Sequence, residues 1–303
     1  MKLIVLMSTY NGEKYLRQQL DSLLNQKLMP NKIVIRDDGS TDNTLDIIDE
    51  YEQHYSFIEH YQGQNKGPAK SFFELINNCE DADYYALCDQ DDVWFEDKLS
   101  SAIEQLNKED NNKPLLYCCR YTLTDENLNP IETNISSLYS YTDFAHSLLY
   151  QTSPGCTFVF NHEARKRVME YDIENNYCMI HDSIIHKIVT MFGKMILDEK
   201  SHIYYRQHGD NEIGLSGNKI KAFTNRIEHF TSGKSRSTRS NMAKSLLKVF
   251  GTKCSIENKE LMDIVANYQD NSVLKKQLLT NPKFKVDSLN YFFYKILVLV
   301  NYI

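Results

Sequence analysis

Short apolar runs alternate with helical patterns through the amino-terminal third of the chain. The apolar runs predict buried strands, and the segments between them place apolar residues on one helical face. The predicted strands are Lys2–Ser8, Lys32–Arg36, Phe57–Tyr61 and Asp83–Cys88; the predicted helices are Glu13–Gln26, Asp42–His54 and a third that Pro68 opens. This alternation predicts an α/β fold, a mostly parallel Rossmann-like sheet with helices on both faces.

The remainder of the chain is mixed and then helical. Further strands are predicted over Leu115–Thr124, Cys156–Phe160, Lys194–Leu197 and Ser201–Arg206, and helices over His162–Glu170 and His181–Met191. From about Gly217 the pattern is helical to the end. We therefore expect an α/β domain over residues 1–215 and a helical carboxyl-terminal region over residues 216–303, with Thr231–Ser240 as the best linker candidate.

Composition and charge narrow the class of protein. The chain has 303 residues, of which 42% are hydrophobic and 25% charged, so a globular protein is expected rather than a disordered one. The net charge of −7 argues against nucleic acid as a partner, because phosphate contacts need clustered lysine and arginine. One segment differs: Gly217–Cys254 carries nine basic residues and a single acidic one, Glu228.

The cysteine pattern and the apolar runs bear on the compartment. The seven cysteines are odd in number and form no C-x-x-C motif, which favours reduced thiols in a cytosolic protein over disulfides or a zinc site. The apolar run at the amino terminus is too short for a signal-peptide core. No run approaches the ~20 apolar residues that span a bilayer.

Polar clusters follow three of the predicted strands. They are Ser8–Gly12, Asp37–Asp42 and Asp89–Asp92. Ligands of open parallel sheets bind beyond the carboxyl ends of the strands, so the fold brings these clusters to one rim. For the first cluster the alternatives are an ordinary strand-to-helix turn or a turn in which Tyr10 stacks on a base. For the second they are an Asp N-cap with an Asx-turn, as at Asp42, or hydrogen bonds that Asp37 or Asp38 accepts from a base N–H or from ribose hydroxyls. Ser40 or Thr41 is the predicted N-cap of the helix Asp42–His54.

The third cluster, Asp89-Gln90-Asp91-Asp92, is the most informative. Three carboxylates within four residues repel one another unless a cation neutralises them. Oxygen ligands suit Mg²⁺ or Mn²⁺, which proteins often bind through one or two carboxylates together with substrate phosphates. The apolar strand before the cluster makes a merely solvated acidic face the weaker interpretation.

Together the three clusters resemble glycosyltransferase family 2, the enzymes of GT-A fold. The matching stretches are Met7–Gly12, Ile35–Asp42 and Cys88–Trp94, and the resemblance extends over about residues 1 to 215. The form Asp-Gln-Asp-Asp-Val-Trp looks most like bacterial rhamnosyltransferases of surface-polysaccharide synthesis. The resemblance implies an inverting, metal-dependent enzyme that uses a nucleotide diphosphate-sugar.

The resemblance also implies roles for particular residues. Donor contacts fall to Thr9, Tyr10, Asn11, Asp37, Asp38, Asp89 and Gln90. Asp91 is the expected direct metal ligand, with Asp89 beside it, and the ion is Mn²⁺ or Mg²⁺. His208 is a further metal ligand, a diphosphate contact or a structural histidine. Arg206 is expected to neutralise phosphate, and Lys66 precedes a helix amino terminus that faces the nucleotide phosphates.

Inversion at the sugar carbon needs a base on the acceptor side. Asp182, at the start of a predicted helix, matches the family's catalytic-carboxylate region and is our candidate. His181 is the alternative base, and a helix-terminal Asp that complements the helix dipole is the structural alternative. Pro154-Gly155-Cys156 is expected against the donor sugar or the acceptor, on the resemblance alone.

Partners and competing functions complete the expectation. A basic segment followed by an apolar carboxyl terminus predicts peripheral contact with an anionic membrane, on the cytoplasmic side, which would suit a lipid-linked saccharide acceptor. The alternative is that these helices pack on the protein's own core. A sugar-nucleotide nucleotidyltransferase, a UDP-hexose-dependent transferase and a non-catalytic binding subunit are the competing functions.

Overall fold

The computed structural model describes residues 1–131, 141–150, 153–209, 237–285 and 288–303. The amino-terminal part alternates strands and helices as the sequence predicts. Its elements are β1 (Leu3–Thr9), α1 (Leu16–Leu24), β2 (Lys32–Asp37), α2 (Thr44–His54), β3 (Ile58–Gln62), α3 (Pro68–Asn78) and β4 (Tyr84–Asp89). Every residue from Leu3 to Met7 is fully buried, as expected for a central strand of a sheet covered on both faces.

The middle of the chain adds strands of both directions. Its elements are β5 (Val93–Trp94), α4 (Lys98–Leu106), β6 (Leu115–Thr124), α5 (Phe144–Leu149), a 3₁₀ turn (Gly155–Thr157), β7 (Val159–Asn161), α6 (His162–Met169), α7 (His181–Phe192) and β8 (Lys194–Arg206). The carboxyl-terminal helices are α8 (Thr238–Phe250), α9 (Ile256–Asn267), α10 (Ser272–Thr280) and α11 (Ser288–Leu299).

The eight strands form one mixed sheet in the order β3-β2-β1-β4-β7-β6-β8-β5. Strands β1 to β4 are parallel, whereas β7 is antiparallel to both of its neighbours and β5 is antiparallel to β8. The register pairs Ser8 with Asp89 and Thr9 with Asp37. The three polar clusters therefore end on adjacent strands, at one rim.

The structure corrects several local predictions. Lys194–Arg206 is a single strand, where the sequence pattern indicated two, because β8 follows β6 through two register shifts. Cys156 lies in the 3₁₀ turn before β7 and not in a strand. Neither Ser40 nor Thr41 caps α2, whose N-cap position is Asn43. Helix α1 begins at Leu16, later than predicted, and β5, α4 and α5 were not predicted at all.

The carboxyl-terminal helices share a hydrophobic core with the sheet. One core cluster joins residues of β1 and β4 to α3, α5 and α7, and it continues into Leu246, Phe250, Met262 and Val265 of α8 and α9. Packing on the protein's own core, the alternative that the sequence left open, is therefore what α8 and α9 do. The predicted linker Thr231–Ser240 lies mostly outside the described residues, and its last residues belong to α8. Within the described ranges, no helix has the length and apolar content needed to cross a bilayer.

Candidate active site

The turns after β1 and β4 are joined by one amide. Gln90 Oε1 accepts from the Tyr10 backbone N–H at 2.8 Å, and Gln90 Nε2 donates to the Tyr10 carbonyl at 3.0 Å. Gly12 leaves room for this amide, because a Cβ at that position would lie 2.3 Å from Gln90 Oε1 and would displace it. Gln90 thus holds two strand ends in register, while the Tyr10 side chain stays 46% exposed at the rim.

The turn after β2 is organised by its first aspartate. Asp37 is fully buried and accepts from the Gly39 and Ser40 backbone N–H groups at 3.0 and 2.8 Å, and from the Thr9 hydroxyl at 3.0 Å. Asn11, with a left-handed φ of 48°, accepts from the Thr41 N–H at 2.8 Å and so ties the β1 turn to the β2 turn. Thr9, Asn11 and Asp37 therefore build the floor of the site.

Asp38 connects β2 to the start of α3. Its carboxylate accepts from the Lys66 N–H at 2.9 Å and from the Gly67 N–H at 2.8 Å, and it pairs with the buried Arg36 guanidinium at 2.5 Å. The Lys66 ammonium pairs with Glu74 at 2.9 Å. Both Asp37 and Asp38 thus have their oxygens engaged by the protein, and Lys66 contributes its backbone to this arrangement.

The charges of the acidic turn Asp89–Asp92 are balanced by far fewer hydrogen bonds and ion pairs within the protein. Burial and the neighbouring carboxylates of Asp91 and Asp182 raise the pKa of Asp89 to about 7. Burial and the charges of Asp91 and Asp89 raise the pKa of Asp92 well above its usual range. Asp92 is fully buried, and its Oδ2 has no nitrogen or oxygen donor among the described residues. Asp91 Oδ2 lies 2.8 Å from His208 Nε2.

The 3₁₀ turn brings the start of α7 beside the acidic turn. A Cβ on Gly155 would lie 2.5 Å from His181 Nε2 and 3.4 Å from Asp182 Cβ, so only glycine fits between β7 and α7. The next residue, Cys156, has its sulfur within 4.8 Å of carboxylate oxygens of both Asp89 and Asp92. The Gly155–Cys156 turn therefore lies against both Asp182, which is buried at 3% exposure, and the acidic turn.

His181 lies in an apolar environment next to Asp182. Its ring stacks on Phe72 with centroids 4.2 Å apart, and neither ring nitrogen has a hydrogen-bond partner in the described part of the chain. Burial lowers the pKa of His181 to about 3, so the imidazole is neutral at physiological pH.

The comparisons with known proteins decide the family. The model of glycosyl transferase family 2 matches residues 4–168, which include the three polar strand ends and the Gly155–Cys156 turn. The chain belongs to glycosyl transferase family 2. It is accordingly a glycosyltransferase, which excludes the nucleotidyltransferase that the sequence left open.

Two curated relatives extend the match. The chain is 32% identical over 220 residues to dTDP-rhamnosyl transferase RfbG of Shigella flexneri, a match that covers 69% of this chain and 74% of that protein. It is 27% identical over 223 residues to an uncharacterized glycosyltransferase of Rickettsia typhi, RT0329, with 72% and 68% covered.

Among solved structures, the fold is similar to that of S. aureus TarS in complex with UDP. The TM-score is 0.59 at 19% identity, and the match covers 100% of this chain and 80% of that one. A second TarS structure, in complex with UDP-GlcNAc, gives a TM-score of 0.57 at 17% identity over 100% and 89%. The architecture is therefore the GT-A fold expected for family 2.

Arg206 is buried against the acidic turn, where the protein's own groups engage its guanidinium. Its guanidinium donates to the Asp91 carbonyl at 2.7 Å and to Gln18 Oε1 at 2.6 Å, and its backbone N–H donates to Asp92 Oδ1 at 3.1 Å. The guanidinium also stacks 4.5 Å from the centroid of the Tyr15 ring. With 1% of its surface exposed, Arg206 braces the acidic turn of this family 2 enzyme from behind.

Three residues near the site escaped sequence reasoning. Asp92 stood in the acidic cluster without a role, and Lys98 belongs to a helix that was not predicted. Tyr15, at the N-cap position of α1, has its ring 4.7 Å from that of His208 and had no role in the sequence prediction. Only Asp92 left a signal in the sequence, because it belongs to a cluster of three carboxylates within four residues.

Proposed function

We propose that this glycosyltransferase moves a sugar from a nucleotide diphosphate-sugar to a hydroxyl acceptor with inversion, using Asp182 as the base. The observation that carries the proposal is the placement of Asp182 beside Asp89, across Gly155 and Cys156. One carboxylate is poised for proton transfer while the neighbouring turn is poised for a cation and phosphates. Displacement at a sugar carbon needs both functions a few ångströms apart.

The donor side of the proposal uses the turns after β1 and β2, which are hydrogen-bonded to each other. The half-exposed Tyr10 ring is available to stack on the nucleotide base. Thr9, Asn11, Asp37 and Asp38 shape the floor beneath it and present the ribose-side edge of the site. Lys66 and the first turn of α3 face the diphosphate with the positive end of a helix.

A divalent metal, Mn²⁺ or Mg²⁺, fits the donor atoms of the acidic turn. Asp89 and Asp91 offer carboxylate oxygens, and Asp92 Oδ2 has no nitrogen or oxygen donor in the described residues. Burial raises the pKa of the Cys156 thiol, which stays protonated and is a poor ligand for a hard ion. Asp89 and Asp91 would hold the metal, with His208 able to exchange its contact to Asp91 for one to the ion. The metal would supply charge that stabilises the departing diphosphate.

The chemistry assigned to the chain's own residues is one proton transfer. The acceptor oxygen attacks the anomeric carbon, the bond from that carbon to the diphosphate oxygen breaks, and the acceptor's proton passes to an Asp182 oxygen. His181 is the poorer base, because its buried imidazole has lost basicity and makes no contact with Asp182 that would orient it. Its role is to pack Asp182 against Gly155.

The sugar is the finer part of the proposal. Similarity to a dTDP-rhamnosyl transferase supports rhamnose from dTDP-rhamnose, within surface-polysaccharide synthesis. The UDP and UDP-GlcNAc complexes of TarS keep a UDP-hexose as the alternative.

A thermal-shift screen separates these donors. Ligands that bind only the folded state raise Tm. At a hundredfold excess of ligand over Kd, the folded state is stabilised by about 2.7 kcal/mol. We expect dTDP to give the largest shift, and only with Mn²⁺ present. The Asp91→Asn variant is the matched control and should lose the metal-dependent part. If no nucleoside diphosphate responds to metal, the donor-site proposal is wrong; a larger response to UDP moves the donor to the alternative.

The acceptor side of the proposal is a lipid-linked saccharide at an anionic membrane surface. Much of the basic segment lies outside the described residues. Helix α11 and the residue after it, however, leave Ile296, Leu299 and Val300 at 40%, 60% and 50% exposure, with the exposed Lys295 beside them. Apolar side chains flanked by lysine are typical of a helix that lies on a membrane.

Vesicle flotation tests this contact with point variants. Truncating the chain before α8 would expose the shared core, so surface substitutions are the better choice. Leu299→Glu with Val300→Glu should abolish flotation with anionic vesicles, while Ile256→Glu, an exposed apolar position of α9, should not. Unchanged flotation of the first variant, or none for the native protein, removes the membrane contact from the proposal.

A further inference from the structure

A buried tyrosine packs against the histidine of the candidate metal site, and the reaction described above gives it no role. Tyr15 is 7% exposed, stands at the N-cap position of α1 and donates its backbone N–H to the Gly12 carbonyl at 3.1 Å. Its ring centroid lies 4.7 Å from that of His208, and the two ring planes are tilted by 36°. Aromatic rings at this separation attract each other beyond the area that they bury. The start of α1 is therefore in direct contact with His208.

The Tyr15 ring is itself held in place by a buried cation. The guanidinium carbon of Arg206 lies 4.5 Å from the ring centroid. The same guanidinium donates to Gln18 Oε1, three residues further along the chain, at 2.6 Å, and to the Asp91 carbonyl at 2.7 Å. A guanidinium that is removed from water is attracted to the face of an aromatic ring. The Tyr15 ring is thus fixed both by its own helix and by Arg206, which also contacts the acidic turn.

His208 lies beyond the last strand, so side-chain contacts contribute to its orientation. Strand β8 ends at Arg206, two residues earlier. His208 Nε2 lies 2.8 Å from Asp91 Oδ2, and the histidine side chain is 8% exposed. A hydrogen bond at one nitrogen fixes the place of that atom but not the plane of the imidazole. A second ring packed against the imidazole restricts that plane, and Tyr15 supplies this ring.

We propose that Tyr15 is a positioning residue, which holds the His208 imidazole in the plane that directs a ring nitrogen to the acidic turn. A histidine ligates a metal through one ring nitrogen, and the groups that orient its ring raise the affinity of the site. Tyr15 acts on the reaction through His208. The link to the metal rests on the proposed function, whereas the contact between the two rings does not.

Nuclear magnetic resonance of the native protein in EDTA tests the ring contact without any variant. We expect nuclear Overhauser contacts between the ring protons of Tyr15 and those of His208, with the His208 signals assigned from the His208→Ala variant. The Phe ring of Tyr15→Phe should give the same contacts. Absence of these contacts in the native protein would overturn the proposal, because the rings would then not be packed together in solution.

A Mn²⁺ titration without nucleotide tests the link to the metal. Tyr15→Leu removes the ring, and it should weaken Mn²⁺ binding by about tenfold, the lower end of the effect of groups that orient metal ligands. Tyr15→Phe keeps the ring and loses only the hydroxyl, so it should bind Mn²⁺ as tightly as the native protein does. The electron paramagnetic resonance signal of free Mn²⁺ measures both affinities.

A double-mutant cycle shows whether the effect passes through His208. His208→Ala removes the imidazole, so adding Tyr15→Leu to it should cause no further loss of Mn²⁺ affinity. Tyr51→Leu is the matched control. Tyr51 is 8% exposed and its ring lies 6.0 Å from the Arg17 guanidinium carbon, but it belongs to α2. This control should lower Tm and leave the Mn²⁺ affinity unchanged.

Four outcomes would overturn the positioning role. They are a native affinity in Tyr15→Leu, an equal loss from Tyr15→Leu with and without His208, a similar loss in Tyr51→Leu, and an unchanged affinity in His208→Ala. If Tyr15→Leu does not fold, Tyr15→Met takes its place in the cycle. A native protein that binds no Mn²⁺ would contradict the proposed metal site and the link to it, while the ring contacts in EDTA would still decide whether Tyr15 orients His208.

Discussion

The carboxylates after β2 and those after β4 lie at one rim of the sheet but in opposite electrostatic surroundings. After β2, Asp37 and Asp38 accept hydrogen bonds from backbone N–H groups, a hydroxyl and a guanidinium. After β4, Asp89 and Asp92 face other carboxylates, and their pKa values are raised. Both pairs lie at one rim of the same sheet, at the ends of the two strands that flank β1, so the difference comes from what surrounds them.

This contrast distinguishes carboxylates that stabilise the fold from carboxylates that are expected to bind a cation or a proton. A carboxylate that is fully hydrogen-bonded is already in its preferred ionised state and gains little from a ligand. A carboxylate held against like charges gains much from a cation or a proton. The β2 side of the rim is therefore preorganised, and the β4 side, with Asp182 beside it, is where binding of charge and proton transfer are expected.

The largest expected effect is on turnover, at Asp182. Asp182→Asn keeps the shape of the side chain and removes its proton affinity, so kcat should fall by about 10²–10⁴-fold, the usual contribution of a general base. Nucleotide binding, measured by thermal shift, should be unchanged. A variant with native kcat would show that another group is the base. It would also weaken the contrast between the turns after β2 and β4.

A matched pair of carboxylate-to-amide changes tests the contrast directly. Asp38→Asn breaks a buried pair with Arg36 and should lower the free energy of unfolding by about 3 kcal/mol. Asp89→Asn should raise it in metal-free buffer, because burial and the charges of Asp91 and Asp182 disfavour the ionised form. Urea denaturation in EDTA gives both values. Destabilisation of similar size at both positions would show that the two turns do not differ.

The stability of the contact between the turns after β1 and β4 is expected to be sensitive to one added methyl group. Gly12→Ala would place a Cβ 2.3 Å from Gln90 Oε1 and break the amide pairing with Tyr10. Overpacking of this kind costs about 1–3 kcal/mol. Gly209→Ala is the control, since a Cβ there meets nothing within 4 Å. Equal stability of the two variants by urea denaturation would mean that the turn relaxes around the methyl group.

The smallest expected effect is a pH dependence from His181. Its folded pKa of about 3 lies below the usual histidine pKa of 6.5, so its contribution to stability is present above pH 6.5 and is lost as the pH falls. At pH 5.5 the loss is about 1.4 kcal/mol. His181→Leu cannot titrate, so the difference between native and variant unfolding free energies should shift by that amount between pH 7 and pH 5.5. A difference that does not vary with pH would show that the imidazole accepts a proton in the folded state.

Which elements of the fold could be predicted from the sequence depends on how far apart along the chain the interacting residues lie. The strands β1 to β4 and the position of Pro68 at the start of α3 follow from local apolar periodicity and were predicted within a residue or two. Strand β5 has only two residues and pairs with β8, more than a hundred positions away, so no local pattern marks it. Helix α4 was missed although its buried Leu99, Ala102, Ile103 and Leu106 follow helical spacing. What that spacing does not show is that its first residue, Lys98, is buried as well.

The sequence by itself determined the α/β alternation, the three polar strand ends and the acidic run that identifies the family, because each is written in neighbouring residues. Only the tertiary structure decided which carboxylates are compensated and which are not. Asp37, Asp38, Asp89 and Asp92 are the same residue type at equivalent strand ends. The electrostatics of Asp89 and Asp92 depend on Asp182 and Cys156, which lie far from them in the sequence and are brought to them by the packing of the sheet and its helices.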